Sequence, residues 1–270
     1  MCAWDLEDAA LAEFPSVAEM RPVTQPEAVT GRPGAEHWTG TLYMRRISPY
    51  LTRLLLPTGI TPNGVTWLMI VAGGAAGVAL LVPGLPGAVL AALLAQAQML
   101  LDCSDGELAR WQRSFSATGV FLDKLGHFVA EALIPLGLGV RADGGLGSIG
   151  GWTTLGALLS LLVVVNKSLN EMVHSARASA GLPPLAHRAG VGVPTRAPIA
   201  RLRSMARFVP FHRAYHSIEL TLLVLVAALA DAVLGGELPG TRFLLSALLV
   251  AALLTVAGHV TAILTSSKLR

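Results

Sequence analysis

Residues 102–131 read DCSDGELARWQRSFSATGVFLDKLGHFVAE, and this stretch decides how the rest of the chain is read. Asp102 and Asp105 are three residues apart, so on a helix they share one face; Asp123 and His127, four apart, share a face of a following helix. Arg113 to Ser116 leaves room only for a short link. The two helices are therefore antiparallel neighbours, and their acidic faces meet at one end of the pair.

Working outward, the stretch is embedded in apolar blocks close to the roughly 20 residues that a helix needs to cross a bilayer. A hydrophobic share of 53% against 14% charged residues excludes an ordinary soluble globule. Thr61, Pro62 and Asn63 form a helix start, with Thr61 as N-cap and Pro62 at the first helical position, where its missing N–H costs nothing. The first span runs from there to about Val82. Pro83, Gly84, Pro86 and Gly87 make a turn, and the second span runs from near Ala88 toward Trp111. Further spans are expected over about 117–140, 149–174, 215–234 and 243–265. The fold class is all-α integral membrane: a six-transmembrane-helix bundle.

Upstream, residues 1–38 are acidic and broken by Pro15, Pro22, Pro26 and Pro33, so they are expected to form a disordered tail, with the membrane domain covering 39–270. Between Thr41 and Leu56, Tyr43, Met44, Ile47, Tyr50, Leu51, Leu54 and Leu55 alternate with Arg45, Arg46 and Arg53. That pattern suits an interfacial amphipathic helix preceding the bundle. Asp5, Glu7, Asp8 and Glu13 crowd the start, where a cleaved signal would be basic and then apolar, so the first span is expected to direct insertion. Cys2 and Cys103 have no spacing for zinc or a disulfide framework and read as free thiols in a reducing compartment.

Basic residues set the orientation. With the N-terminus inside, Arg45, Arg46, Arg53, Arg110, Arg113, the arginines from 177 to 213, Lys268 and Arg270 fall on the cytoplasmic side. Only Arg141 and Arg242 are left outside. Both termini, and the acidic cluster, are expected at the cytoplasmic face of the cell membrane. The net charge of +3 is then explained by topology and lipid headgroups, and no nucleic acid is expected.

Each ionised carboxylate within a span costs roughly 2.5–3.5 kcal/mol, and several together repel. A cation must sit among them. Carboxylate oxygens with no thiolate suit Mg²⁺ or Mn²⁺, and Mg²⁺ usually combines one or two carboxylates with substrate phosphates, so a phosphorylated substrate is implied. Gly106 directly after Asp105, and Gly119 one turn before Asp123, leave room for a nucleotide or a neighbouring helix.

The stretch resembles the signature of the CDP-alcohol phosphotransferase (CDP-alcohol phosphatidyltransferase) family, Asp-x2-Asp-Gly-x2-Ala-Arg-x8-Gly-x3-Asp-x3-Asp. Asp102, Asp105, Gly106, Ala109, Arg110, Gly119 and Asp123 match it at every fixed position but the last, which is His127. The six-span layout, the interfacial helix and the Thr-Pro-Asn entry are also similar. The resemblance implies transfer of a phosphoalcohol group from a CDP-linked donor to an acceptor hydroxyl with release of CMP. It implies two divalent cations held by Asp102, Asp105 and Asp123, with Arg110 helping to hold the donor's phosphates, and a homodimer among membrane lipids. At the last position His127 stands where the family's second metal ligand and general base would be. Imidazole suits Mn²⁺ better than Mg²⁺, and its unperturbed pKa of about 6.5 suits a base. Glu131, one turn on, is expected to orient the ring.

Other polar residues in the apolar blocks carry weaker expectations. Lys167 and Glu171 have the i,i+4 spacing of an ion pair, in a group with Asn166, Asn170 and His174. His212, His216 and Glu219, preceded by Arg201, Arg203 and Arg207, read equally as a phosphate site or as lipid contacts. Two rival functions stand beside the transferase: a catalytically silent homologue binding nucleotide or lipid as a scaffold, and a cation transporter. The Gly-flanked carboxylates beside Ala109 and Arg110 fit a nucleotide site better than a transport path.

Overall fold

The computed structural model describes residues 14–27, 39–183, 214–266 and 269, and every regular element among them is helical. Helix α1 spans Val17–Thr24, and a π-turn over Gly40–Met44 leads into α2, Arg45–Leu55. Then come α3 (Pro62–Ala79), α4 (Gly84–Trp111), α5 (Ala117–Ala142), α6 (Gly151–Ser179), α7 (Ser217–Leu234) and α8 (Pro239–Thr265). Helices α3 to α8 are each long and apolar enough to cross a membrane. Even the 18-residue α3 and α7 reach about 27 Å at ~1.5 Å per residue, close to the hydrocarbon thickness. The 28 residues of α4 exceed that thickness, so the polar run from Asp102 to Arg110 occupies the surplus turns.

Helix starts explain where the boundaries differ from expectation. Thr61 caps α3 as read from the sequence, its Oγ1 accepting from Gly64 N at 3.1 Å. Helix α4 begins at Gly84 rather than Ala88, because Pro86 falls in the first turn, where a missing N–H forfeits no helical bond. Helix α8 begins at Pro239 rather than 243: Asp231 accepts from Gly240 N at 2.6 Å and Thr241 N at 3.2 Å, satisfying the first turn. Asp143 does the same for α6, accepting from Gly150, Trp152 and Thr153. Burial raises the pKa of Asp143, but these donors outweigh it and hold the carboxyl below its usual range.

Part of the stretch read as a disordered tail is folded. Residues 17–24 form α1 with a capping box, Ser16 Oγ accepting from Glu19 N and the Glu19 carboxylate accepting from Ser16 N. Met20 and Thr24 are fully buried. The prolines mislead because Pro22 sits in a helix short enough to lose little by it. Residues 1–13 and 28–38 lie outside the described residues, as do His212, Arg201, Arg203 and Arg207.

The chain divides into two compact units, Met1–Ala72 with Gln96–Gly126, and Gly73–Ala95 with His127–Arg270. In the first, the end of α4 meets α1 and α2 on one side and the start of α3 on another, and the start of α5 packs against α3. Gly126 lets α5 approach α3, since a Cβ there would lie 2.9 Å from Ile70 and 3.0 Å from Met69. In the second, small residues set the spacing of the helices. A Cβ on Gly137 would lie 2.3 Å from the Gly77 carbonyl, and one on Gly156 would lie 2.5 Å from Gly139 Cα. Backbones this close are the usual way membrane helices gain packing energy, because lipid offers no hydrophobic drive for them to associate. Ala76, Leu80, Ala130, Ile134, Leu138 and Leu159 fill the core beside these crossings.

Replacing Gly156 by leucine forces α5 and α6 apart at a backbone contact. We expect a loss of about 1–3 kcal/mol or more, measured as a lowered unfolding midpoint in detergent, whereas Gly147→Ala, with open space around its Cα, leaves the midpoint unchanged.

Candidate active site

The end of α4 and the start of α5 are joined by a turn that fixes their register. Arg113 takes a left-handed conformation, φ 51°, and the Ser114 and Arg113 amides donate back to the Ala109 and Arg110 carbonyls. This is a Schellman closure with arginine where glycine is usual. Ser116 then caps α5, its Oγ accepting from Gly119 N at 2.9 Å. The chain reverses within a few residues, and the signature's two halves face each other as the spacing predicts.

Three of the expected residues converge. Asp102, Asp123 and His127 each offer a ligand atom, all within 4.8 Å of one another, and all three are half-buried. His127 is counted with the second unit, yet it lies one turn beyond Asp123 on the uninterrupted α5. Ligands around a small divalent ion held at about 2.1 Å lie about 3–4.2 Å apart, so this group needs little closure to hold one. Two carboxylates with one imidazole fit Mn²⁺ well and Mg²⁺ less well. The donor set is incomplete for six-coordination, which leaves positions for water or phosphate oxygens.

Asp105 is held differently from the other two. Its Oδ2 accepts from Thr66 Oγ1 of α3 at 2.7 Å, and it is the most buried of the three aspartates. The carboxylate is thus braced by a hydroxyl on the neighbouring helix. Gly106 lies under the guanidinium of Arg110, where a Cβ would come within 3.2 Å of Nη1 and 3.3 Å of Nη2. The arginine fork rests on the signature glycine for lack of a side chain. Gly119 faces Asn63, whose Oδ1 would lie 2.9 Å from an added Cβ. Its smallness serves the approach of α3. Ala109 takes part through its carbonyl in closing α4.

Glu107 was missed. It is fully buried, and its carboxylate accepts from Ser48 Oγ, from Thr52 Oγ1 at 2.7 Å and from Gln25 Nε2 at 2.7 Å, with Arg45 Nη1 at 3.8 Å. The available signal was the i,i+4 pair Ser48 and Thr52, two hydroxyls on one face of a helix read only for its arginines and apolar residues.

Two groups read from spacing gain partners from elsewhere in the chain. Lys167 reaches Glu131 at 2.8 Å, rather than serving only its i,i+4 neighbour Glu171, and it lies over the Phe128 ring. Glu131, expected to orient His127, is bound by Lys167 and lies 3.4 Å from His216 Nδ1. The physical reason is depth: a carboxylate this buried gathers donors from every helix packed against it, here an ammonium and an imidazole that lie far from it in sequence. Asn166 meets His259 at 3.0 Å. These residues belong to the second unit.

The profile of the CDP-alcohol phosphatidyltransferase family matches residues 59–266. The chain belongs to that family. No individual curated protein gives a significant match. Family membership makes this a phosphotransferase-type membrane protein of lipid synthesis, of a class that depends on divalent metal and takes CDP-alcohol donors and alcohol acceptors. The match begins at Gly59, downstream of α1 and α2.

Removing Glu131 takes a buried carboxylate from beside the partly exposed Lys167 ammonium. Glu131→Ala is expected to destabilise the folded protein by about 1–3 kcal/mol. Glu131→Leu combined with Lys167→Met should cost less than Glu131→Ala alone, as read by thermal unfolding in detergent.

Proposed function

We propose that this protein transfers a phosphoalcohol group, such as phosphatidyl, from a CDP-linked donor to an acceptor hydroxyl, releasing CMP in the synthesis of a phospholipid or related phosphodiester. The observation that carries this reading is the convergence of Asp102, Asp123 and His127 beside an arginine fork seated on Gly106. Within residues 39–270, Asp102, Asp105, Asp123 and His127 form the metal-binding set, for one or two ions of Mg²⁺ or Mn²⁺. When bound, the metal neutralises charge on the donor's diphosphate and so favours departure of CMP. Arg110 holds a phosphate of the donor through its planar fork, and Gly106, Ala109 and Gly119 keep the approach clear.

The reaction forms a bond between the acceptor oxygen and the phosphorus of the alcohol phosphate. It breaks the bond from that phosphorus to the bridging oxygen, whose electron pair leaves with CMP. A ring nitrogen of His127 takes the hydroxyl proton, a role open to the ring only while neither nitrogen is bound to metal, since a neutral imidazole has a single free lone pair. The chain's own contribution is to bring acceptor and donor together at the mouth of the bundle and to aim charge at the departing group. The excess of basic residues near the span ends supports a site at the cytoplasmic face of the cell membrane, and the family habit favours a homodimer. Histidine at the last signature position favours one second reading, a catalytically silent homologue that keeps the nucleotide site as a scaffold.

Purified protein given a panel of CDP-donors and acceptors should release CMP, and Asp105→Ala should abolish that release while the protein stays folded. Unchanged turnover in that variant sinks the transferase reading. His127→Ala should lower turnover by roughly 10²–10⁴-fold with donor binding nearly intact, because loss of a general base acts on the transition state. An unmodified protein inactive on every donor, with activity gained in His127→Asp, establishes the scaffold instead.

A further inference from the structure

The first turns of the described chain lie outside the family match, yet they reach into the signature. Pro49 has no N–H, so in α2 the carbonyl of Arg45 lacks its helical donor. Gln25 Nε2 takes that carbonyl at 2.8 Å and also reaches Glu107 Oε1 at 2.7 Å. The preceding carbonyl, Thr24 O, accepts from Arg110 Nε at 2.5 Å. Arg21 donates to Arg46 O at 3.3 Å. Met20 and Thr24 are buried beneath α1, and Ser48 and Thr52, which complete the shell of Glu107, have no exposed surface either.

We propose that the segment Ser16–Gln25 is a working part of the donor site, with Gln25 a positioning residue that sets Arg110 and Glu107 against one another. The argument is geometric. Holding Nε of a guanidinium fixes the plane of the whole fork, so the Thr24 carbonyl decides where Nη1 and Nη2 lie above Gly106. The Thr24 carbonyl is itself placed by Gln25, the next residue, whose amide is anchored on Arg45 and Glu107. Glu107 is one residue from Gly106 and three from Arg110, and its buried negative charge favours the cationic fork beside it. A flexible arginine loses rotamer freedom when it grips a phosphate. One already clamped has lost that freedom during folding, so donor binding is tighter.

This inference rests on the donor-site reading above, and the test separates the two. CDP with Mn²⁺ is titrated calorimetrically into the full-length protein, and each variant's unfolding midpoint is measured without ligand. Gln25→Ala is expected to weaken CDP binding on the order of tenfold through lost pre-ordering of Arg110, with the midpoint lowered by no more than the loss of a buried hydrogen bond entails. Gln25→Lys, which restores a donor to Glu107, should recover most of the affinity. Met20→Asp, which unseats α1 by placing a charge in its buried face, should weaken CDP at least as much as Gln25→Ala. If Gln25→Ala and Met20→Asp bind CDP as tightly as the unmodified protein, whatever their midpoints, α1 is packing only and the proposal is overturned. An unmodified protein that binds no CDP overturns the donor-site reading and this inference with it.

Discussion

A carboxylate in a bilayer-length helix needs a partner, and that requirement organises this protein more than any apolar contact does. Where such a group is buried inside the protein, water cannot make good a missing hydrogen bond or a missing countercharge. Asp105 is braced by Thr66, Glu107 by two hydroxyls and an amide, and Glu131 by an ammonium. Each solution draws a different helix toward the acid. The packing of α1, α2 and α3 around the end of α4 follows from where its acids stand.

The same requirement separates acids that serve structure from those available for chemistry. Asp143 and Asp231 cap helices and are saturated by amides. Glu107 and Glu131 are enclosed by side-chain donors. Asp102 and Asp123 instead lie half-buried with His127 at one end of the helical pair, where charge can be met by a ligand from outside. Burial, rather than residue type, separates Asp102 and Asp123 from Glu107 and Glu131.

Much of this could be read from spacing alone, and the limits are instructive. Six apolar blocks of bilayer length leave few alternatives to six helices, and i,i+3 and i,i+4 spacings place Asp102, Asp105, Asp123 and His127 because helical geometry is local. What spacing cannot convey is competition between distant partners. Lys167 reaches Glu131, far back along the chain, and nothing in residues 163–171 records that contact. Glu107 looked like filler between fixed positions because its partners come from Gln25, Ser48 and Thr52. The prolines near the N-terminus weighed against a fold there, whereas the short capped helix α1 needed only one buried methionine and a place to dock.

The bond from Gln25 to Glu107 spans 82 residues of chain. During synthesis the N-terminal helix emerges long before its receptor: at about 5–20 residues per second, some 4–16 seconds separate the two. Through that interval α1 can close only upon α2, with Gln25 and Arg21 on the carbonyls of Arg45 and Arg46, while Glu107 and Arg110 are still to come. At this end of the protein α1 and α2 can therefore pair first, and the clamp on Arg110 closes only after the end of α4 has been made.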